Sequence, residues 1–249
     1  MSKKPKWLVN AKLDGADLRH KDLRYADMSS ANLMNANLHR ANLTYANLRG
    51  AGLLGANLSG ANLHGAGLYH ANLIGANLEG ANLRKAYLVD AIMDGANLEG
   101  ANLTKANLRG AILHGANLRN ADLTRADLTD AWLYDANLTN ADLTHADLKD
   151  ARLCDAFETS ADFTKALLAD ANLEDANLQE ANLYWANLTR ANLRHADLTR
   201  ANLEGADLED ANLRGADLYN ANLAGANLTG ANLQEANLTG AIMPEGWKP

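Results

Sequence analysis

The chain has 249 residues, 23 Lys/Arg against 30 Asp/Glu, a formal net charge of −7, and a single cysteine. One cysteine, Cys154, excludes an internal disulfide and fits a reducing, cytoplasmic compartment. No apolar run approaches the length of a membrane span, and the length alone would allow two domains.

Residues 1–10, MSKKPKWLVN, are basic and then apolar, with no apolar core of a signal segment behind the three lysines. They are expected to form an N-terminal cap in which Trp7 and Leu8 cover the first coil, because an open solenoid end presents unpaired backbone groups. From Ala11 to Glu245 the chain reads in fives without an insertion or deletion, giving 47 consecutive pentads. The first place is Ala in 46 of them, the exception being Lys21. The third is Leu in 42, the others being Met28, Met93, Glu158, Phe163 and Met243, and the second is Asn or Asp in 36. The run ANLED, ANLQE, ANLYW from Ala171 to Trp185 shows the phrase at its plainest. Residues 246–249, GWKP, are expected to cap the far end through Trp247.

A five-residue period excludes a long helix. Each Leu would land about 140° round from the last, so no single apolar face forms. A straight strand fails because an odd repeat throws successive Leu residues onto opposite faces. A short extended piece followed by a bend lets every Leu face one axis, with Ala sharing the interior and places two, four and five pointing outward. Of the 19 Gly, 16 are at the fifth place, where a turn needs φ > 0. No fifth place from Asn120 to Arg200 is Gly, so turns of a different geometry are expected there.

Uninterrupted A(N/D)LXX over residues 11–245 resembles the pentapeptide-repeat proteins. The resemblance implies an all-β fold, a right-handed quadrilateral β-helix with four pentapeptides per coil. On that geometry 235 residues make about 12 coils and a rod roughly 55 Å long. One domain is expected, 11–245, between the caps 1–10 and 246–249. A rod filled with Leu and Ala leaves no concave pocket for a substrate, so no enzyme and no cofactor are expected; the variable outward places point to a non-enzymatic rod-like scaffold that binds a protein partner or itself through its outward faces. No direct nucleic-acid binding and no membrane contact are expected.

Several outward residues break the pattern. On the faces flanking Leu13, Leu33 and Leu53, the fourth places Met34, Leu54 and Ile74 are followed by the second places Ile92, Ile112 and Trp132, with Tyr134 and Cys154 continuing the line. A contiguous apolar patch of this kind marks a contact surface more often than bare wall, and an aromatic near one end suits an anchor. The alternative is that stacked β-branched residues merely stabilise neighbouring strands. Charge is also segregated. Residues 1–120 carry 14 basic against 8 acidic residues, 121–180 carry 4 against 14, and 181–249 carry 5 against 8. A 20-residue register stacks Asp130, Asp150 and Asp170 in one column and Asp135, Asp155 and Asp175 in another. This acidic belt, 121–180, prompts the alternative function of a DNA mimic that binds a type II topoisomerase (gyrase). Against it, such relatives carry much more Phe at the central place, where this chain has only Phe163, and the first half here is positive.

Glu158 is the single ionisable residue at a central place; ideal register buries it between Leu138 and Leu178, where an unpaired charge is very costly. A local bulge is expected, with Phe157 turned inward and Glu158 in solvent. The seven His all fall at outward places and in separate columns, no nucleophile set assembles, and the acidic columns do not converge as a Ca²⁺ site would require. No catalytic, cofactor or metal residue is therefore assigned. A column of Thr104, Thr124, Thr144 and Thr164 raises ice binding, weakened by the flanking Asp122, Asp142 and Asp162.

Overall fold

A computed structural model describes residues 7–153 and 161–248. Each pentad contributes one isolated parallel bridge at its second place, and the partner is 20 residues on: Lys12 with Asn32, Asp17 with Asn37, Asp22 with Asn42, Asp27 with Asn47. Four ladders result, one per face, and we name the faces by their first central residues, Leu13, Leu18, Leu23 and Met28. Every central Leu and leading Ala from Ala26 to Leu153, and again from Ala161 to Leu223, is buried. Each such Leu removed from water is worth roughly 1.5–3 kcal/mol, which is why the core repeats so strictly.

The backbone explains the rest of the motif, because all five N–H groups of a pentad are spoken for. In the pentad Ala31–Asn35, the Ala31 N–H closes a turn onto the Met28 carbonyl at 3.0 Å. The Asn32 N–H reaches back to Ala11, Leu33 N–H forward to Gly52, and Asn35 N–H forward to Leu54, all within 2.7–2.9 Å. That leaves the fourth N–H, of Met34, which donates to Asn32 Oδ1 at 3.1 Å. Asn or Asp at the second place is thus an Asx acceptor for the one backbone donor that the coils do not serve. Asn side chains then ladder along the faces, as in Asn117 Nδ2 to Asn97 Oδ1 at 3.0 Å.

The corners are uniform. Fifth places from Asn10 to Gly240 among the described residues have φ between 52° and 73°, with Asn120 at 56° and Arg200 at 58°. The expectation of a separate turn geometry over 120–200 is therefore corrected. With φ > 0 only at the second turn residue, these are type II turns throughout, and the third-to-first hydrogen bond that closes each turn overrides side-chain preference.

One register change occurs. After Trp132↔Arg152 the partner moves to 25 residues on: Asn137 pairs with Asp162, Asp142 with Leu167, Asp147 with Asn172 and Arg152 with Asn177. From Asp162↔Asn182 onward the offset is 20 again. The offset thus grows by five residues across the stretch from Leu153 to Ala161, whose N–H donates to the Leu153 carbonyl at 2.9 Å. The ideal register, which would set Glu158 between Leu138 and Leu178, is not kept: Phe163, fully buried, takes the place after Leu138, and Leu178 follows Leu153. An increase of five residues, one pentad, keeps every later Leu pointing inward. Phe157 and Glu158 themselves lie outside the described residues.

At the ends, the ladder begins at Trp7, which bridges to Asp27, so residues 7–10 already follow the repeat. Leu8 packs against the core as a third-place residue should. Trp7 does not cover the first coil, being 73% exposed, because it occupies a second, outward place. Trp247 is half-buried and its N–H donates to the Pro244 carbonyl at 3.1 Å.

Candidate interaction surfaces

The apolar stripe is brought together as expected on the Leu13 face. Met34 and Leu54, each 39% exposed, stack with half-buried Ile74 along one edge of that face. Along the other edge the bridges run Asn72, Ile92, Ile112, Trp132, Arg152. Trp132 is 38% exposed and holds the end of the stripe. The Arg152 guanidinium lies 4.8 Å from its ring centroid, a cation–π contact that closes the stripe. Tyr134 contacts Trp132 at 5.9 Å and meets His114 edge-on at 5.8 Å. Cys154 lies outside the described residues.

The stripe carries a cost that the sequence pattern did not reveal. Ile92, Ile112 and Trp132 have no side-chain acceptor, so among the described residues the N–H groups of Asp94, His114 and Tyr134 have no protein partner. Three successive coils forgo a bond worth about 0.5–1.5 kcal/mol each.

The acidic belt is arranged differently from expectation, as the register change requires. Asp130 stacks on Asp150, whose own N–H reaches the Glu174 carbonyl at 3.1 Å, so the third member of this column is Asp175. Asp170 instead follows His145, with a 3.9 Å approach, and is clamped by Arg190 at 2.7 Å. The bidentate hydrogen bond from Arg190 pulls the Asp170 carboxyl below its ordinary range. Asp175 meets Lys149 at 3.6 Å and Asp130 meets Arg109 at 3.7 Å. The belt is thus cross-linked by cations along much of its length. Asp135 is at its corner with φ 55°, and Asp155 lies outside the described residues. The same shift breaks the threonine column: Ala169 follows Thr144, while Thr164 follows Thr139. At Asp122, burial alone would raise the carboxyl, but hydrogen bonds from Thr124 and Thr104 bring it below its ordinary range. No group of three His, Cys, Asp or Glu among the described residues converges as a metal site, and no helix there is long and apolar enough to cross a membrane.

Comparison with known proteins accords with this geometry. The family model described as pentapeptide repeats (8 copies) matches overlapping segments from residue 8 to residue 243, two of which, 121–157 and 159–194, part at Glu158. No curated protein matches. Among solved structures, HetL, a pentapeptide repeat protein involved in heterocyst differentiation regulation from the cyanobacterium Nostoc sp. strain PCC 7120, is 37% identical. That match covers 92% of this chain and 94% of HetL, with a TM-score of 0.52. A trypsin-treated form of QnrB1, a plasmid-mediated fluoroquinolone resistance protein, matches at 20% identity and a TM-score of 0.59. It covers 67% of this chain and 84% of its own, a likeness of fold alone.

Proposed function

The chain belongs to the pentapeptide-repeat family, whose members are right-handed quadrilateral β-helices, and on that premise we propose that it is a non-enzymatic interaction scaffold that docks a protein partner through the Leu13 face. The observation that carries this reading is the stripe from Met34 to Tyr134. Isolated apolar residues on a surface mean nothing. Here three consecutive coils of one face place Ile92, Ile112 and Trp132 where most pentads keep an Asx acceptor, and an exposed Trp closes the line. Loss of a local bond without a fold-level return points to a role in binding. The rod takes in residues 7–10 as well as the expected 11–245, and it works in the cytoplasm.

The belt over 121–180 supports the topoisomerase-binding alternative less well. A DNA mimic needs a run of open carboxylates, whereas Asp130, Asp170 and Asp175 face Arg109, Arg190 and Lys149. The test is Ile112→Lys with Trp132→Glu, followed by sedimentation and by pull-down from a native extract. We expect the pair to remain folded and to lose the bound protein or the self-associated form. An unchanged mass with the same bound proteins removes the stripe from consideration, and inhibition of gyrase supercoiling by parent and double variant alike would favour the belt.

A further inference from the structure

A different surface, on the corner between the Leu23 and Met28 faces, has no part in the reading above. In consecutive coils it carries Tyr25, Tyr45, Gly65, Lys85, Lys105, Arg125 and His145, each in the same backbone conformation with φ between 56° and 63°. The fifth-place N–H groups of this column run coil to coil from Tyr25 to His145, so the order is set by the backbone. Six steps at strand spacing make a ridge about 29 Å long.

Its two halves differ in chemistry. The upper half is aromatic. Tyr25 and Tyr45 are 61% and 51% exposed, and their rings stack 5.6 Å apart at 16°. Tyr45 folds over Gly65, filling the space that a Cβ there would need, and meets His64 edge-on at 5.4 Å. On the adjoining Met28 face Tyr69 and Tyr87 form a second stacked pair at 5.5 Å, with Tyr87 well exposed. The lower half is cationic. Lys85, Lys105 and Arg125 are exposed and have no ion pair among the described residues. Arg84 and Arg109 flank them, though Arg109 also meets Asp130. Like charges stacked in adjacent coils repel, and apart from Asp122, which feels Arg84, that repulsion is relieved at the lower end of the ridge. There Asp127 adjoins Arg125 and Asp170 closes against His145.

Against the expectation from sequence that the chain makes no direct contact with nucleic acid, we propose that this ridge binds single-stranded nucleic acid, the phosphates along Lys85, Lys105 and Arg125 and the bases on the exposed tyrosine faces. Stacked aromatic rings beside a row of cations are the combination that holds single strands without reading sequence. A duplex hides its base faces, which leaves the tyrosines without a role, and an acidic polypeptide has no use for them either. The net charge of −7 is no obstacle, because residues 1–120 carry 14 basic against 8 acidic residues and the excess acid lies beyond them. That acid confines a polyanion to this part of the rod.

Fluorescence anisotropy of a labelled oligothymidylate of about 12 nucleotides on the full chain tests the assignment. Binding is expected to weaken about 20-fold between about 50 and about 200 mM salt, the behaviour of about three neutralised phosphates on a single strand. Lys85→Glu with Lys105→Glu should abolish binding. Tyr25→Ala with Tyr45→Ala should weaken it about tenfold and leave the salt slope unchanged. Arg119→Glu with Lys165→Glu, the same charge change away from the ridge, should leave it within about twofold, since distant surface charges are screened. Far-UV circular dichroism establishes that each variant is folded, and Lys85→Gln with Lys105→Gln replaces the charge reversal should that pair unfold. Failure of the parent to bind at low salt, or equal loss in the Arg119/Lys165 control, overturns the proposal. So does tighter binding of a duplex, or competition by polyglutamate as effective as that of the oligonucleotide, the last result assigning the ridge to an acidic polypeptide.

Discussion

At the scale of single residues, each place in the pentad answers one physical demand. Ala fits the crowded interior beside a corner, Leu fills the axis, and the second-place Asn or Asp accepts the fourth N–H. The fifth place must hold φ near +60°, and glycine does this without the penalty that a Cβ brings, roughly 1–2 kcal/mol. Gly65 and Gly75 separate that backbone term from packing. Both are in the left-handed region, at 63° and 60°. A Cβ at Gly75 meets nothing within 4 Å, whereas one at Gly65 collides with the Tyr45 ring. Gly75→Ala should therefore cost about 1 kcal/mol, and Gly65→Ala measurably more, because Tyr45 must also swing away from Tyr25. Urea midpoints of the two variants decide this. Equal shifts would mean that the ring moves freely and that the tyrosine stack contributes nothing to the rod.

At the scale of the repeat, the ladder of second-place side chains does as much as the backbone bridges. Asn97 accepts from the Glu99 N–H at 3.2 Å and from Asn117 Nδ2 at 3.0 Å, and donates to Asn77 Oδ1 at 3.3 Å. Asn97→Leu leaves those partners without their bonds, so a loss of about 1–3 kcal/mol is expected. Asn97→Asp keeps the acceptor and should cost less. A thermal melt in which Asn97→Leu matches the parent would show that water replaces the Asx bond without penalty. This role explains which features were legible beforehand. The stripe from Met34 to Trp132 was legible through the 20-residue coil that the family resemblance implies, because its members lie 20 residues apart along an unbroken period, whereas the pentad phase and the inward Leu follow from spacing. The turn geometry at Asn120–Arg200 did not, since glycine content suggested a difference that the closing hydrogen bond removes. The columns below Leu153 did not either. Asp170 under His145 depends on how many residues a coil omits, and sequence shows that Glu158 is awkward without showing how it is accommodated. The ridge from Tyr25 to His145 was hidden for another reason: its members are scattered among fifth places that tolerate any residue, and only the corner geometry aligns them.

At the scale of the whole rod, each coil touches only its neighbours, so stability is close to a sum of coil and interface terms. A uniform solenoid tolerates loss of a full coil and suffers from loss of one side, because removing five residues rotates every later face by a quarter turn. The register change makes an exception at one place. Across the stretch from Leu153 to Ala161 the pairing offset is 25 where it is otherwise 20, as in Asn137↔Asp162 against Asn117↔Asn137. Deleting residues 156–160 should restore an offset of 20 across the gap, joining Asn137 to Asp162 and Arg152 to Asn177 within ordinary coils. It also removes Glu158, the single ionisable residue at a central place. The expected variant keeps the β-rich circular dichroism of the parent and melts at the same temperature or slightly higher. Deleting residues 96–100, also five, removes a pentad that bridges both ways, through Asn77↔Asn97 and Asn97↔Asn117. It takes buried Ala96 and Leu98 with it. A Leu-to-Ala loss in a core costs about 2–5 kcal/mol on its own, and the coils beyond the cut must re-register as well, so this variant should melt well below the parent or fail to accumulate. The comparison turns on difference, not on either melt alone. Should both deletions destabilise equally, the extra pentad is an integral part of the rod and the Asn137↔Asp162 register is not a simple omission; should both be tolerated, the four-sided register itself is more permissive than its unbroken Leu columns imply.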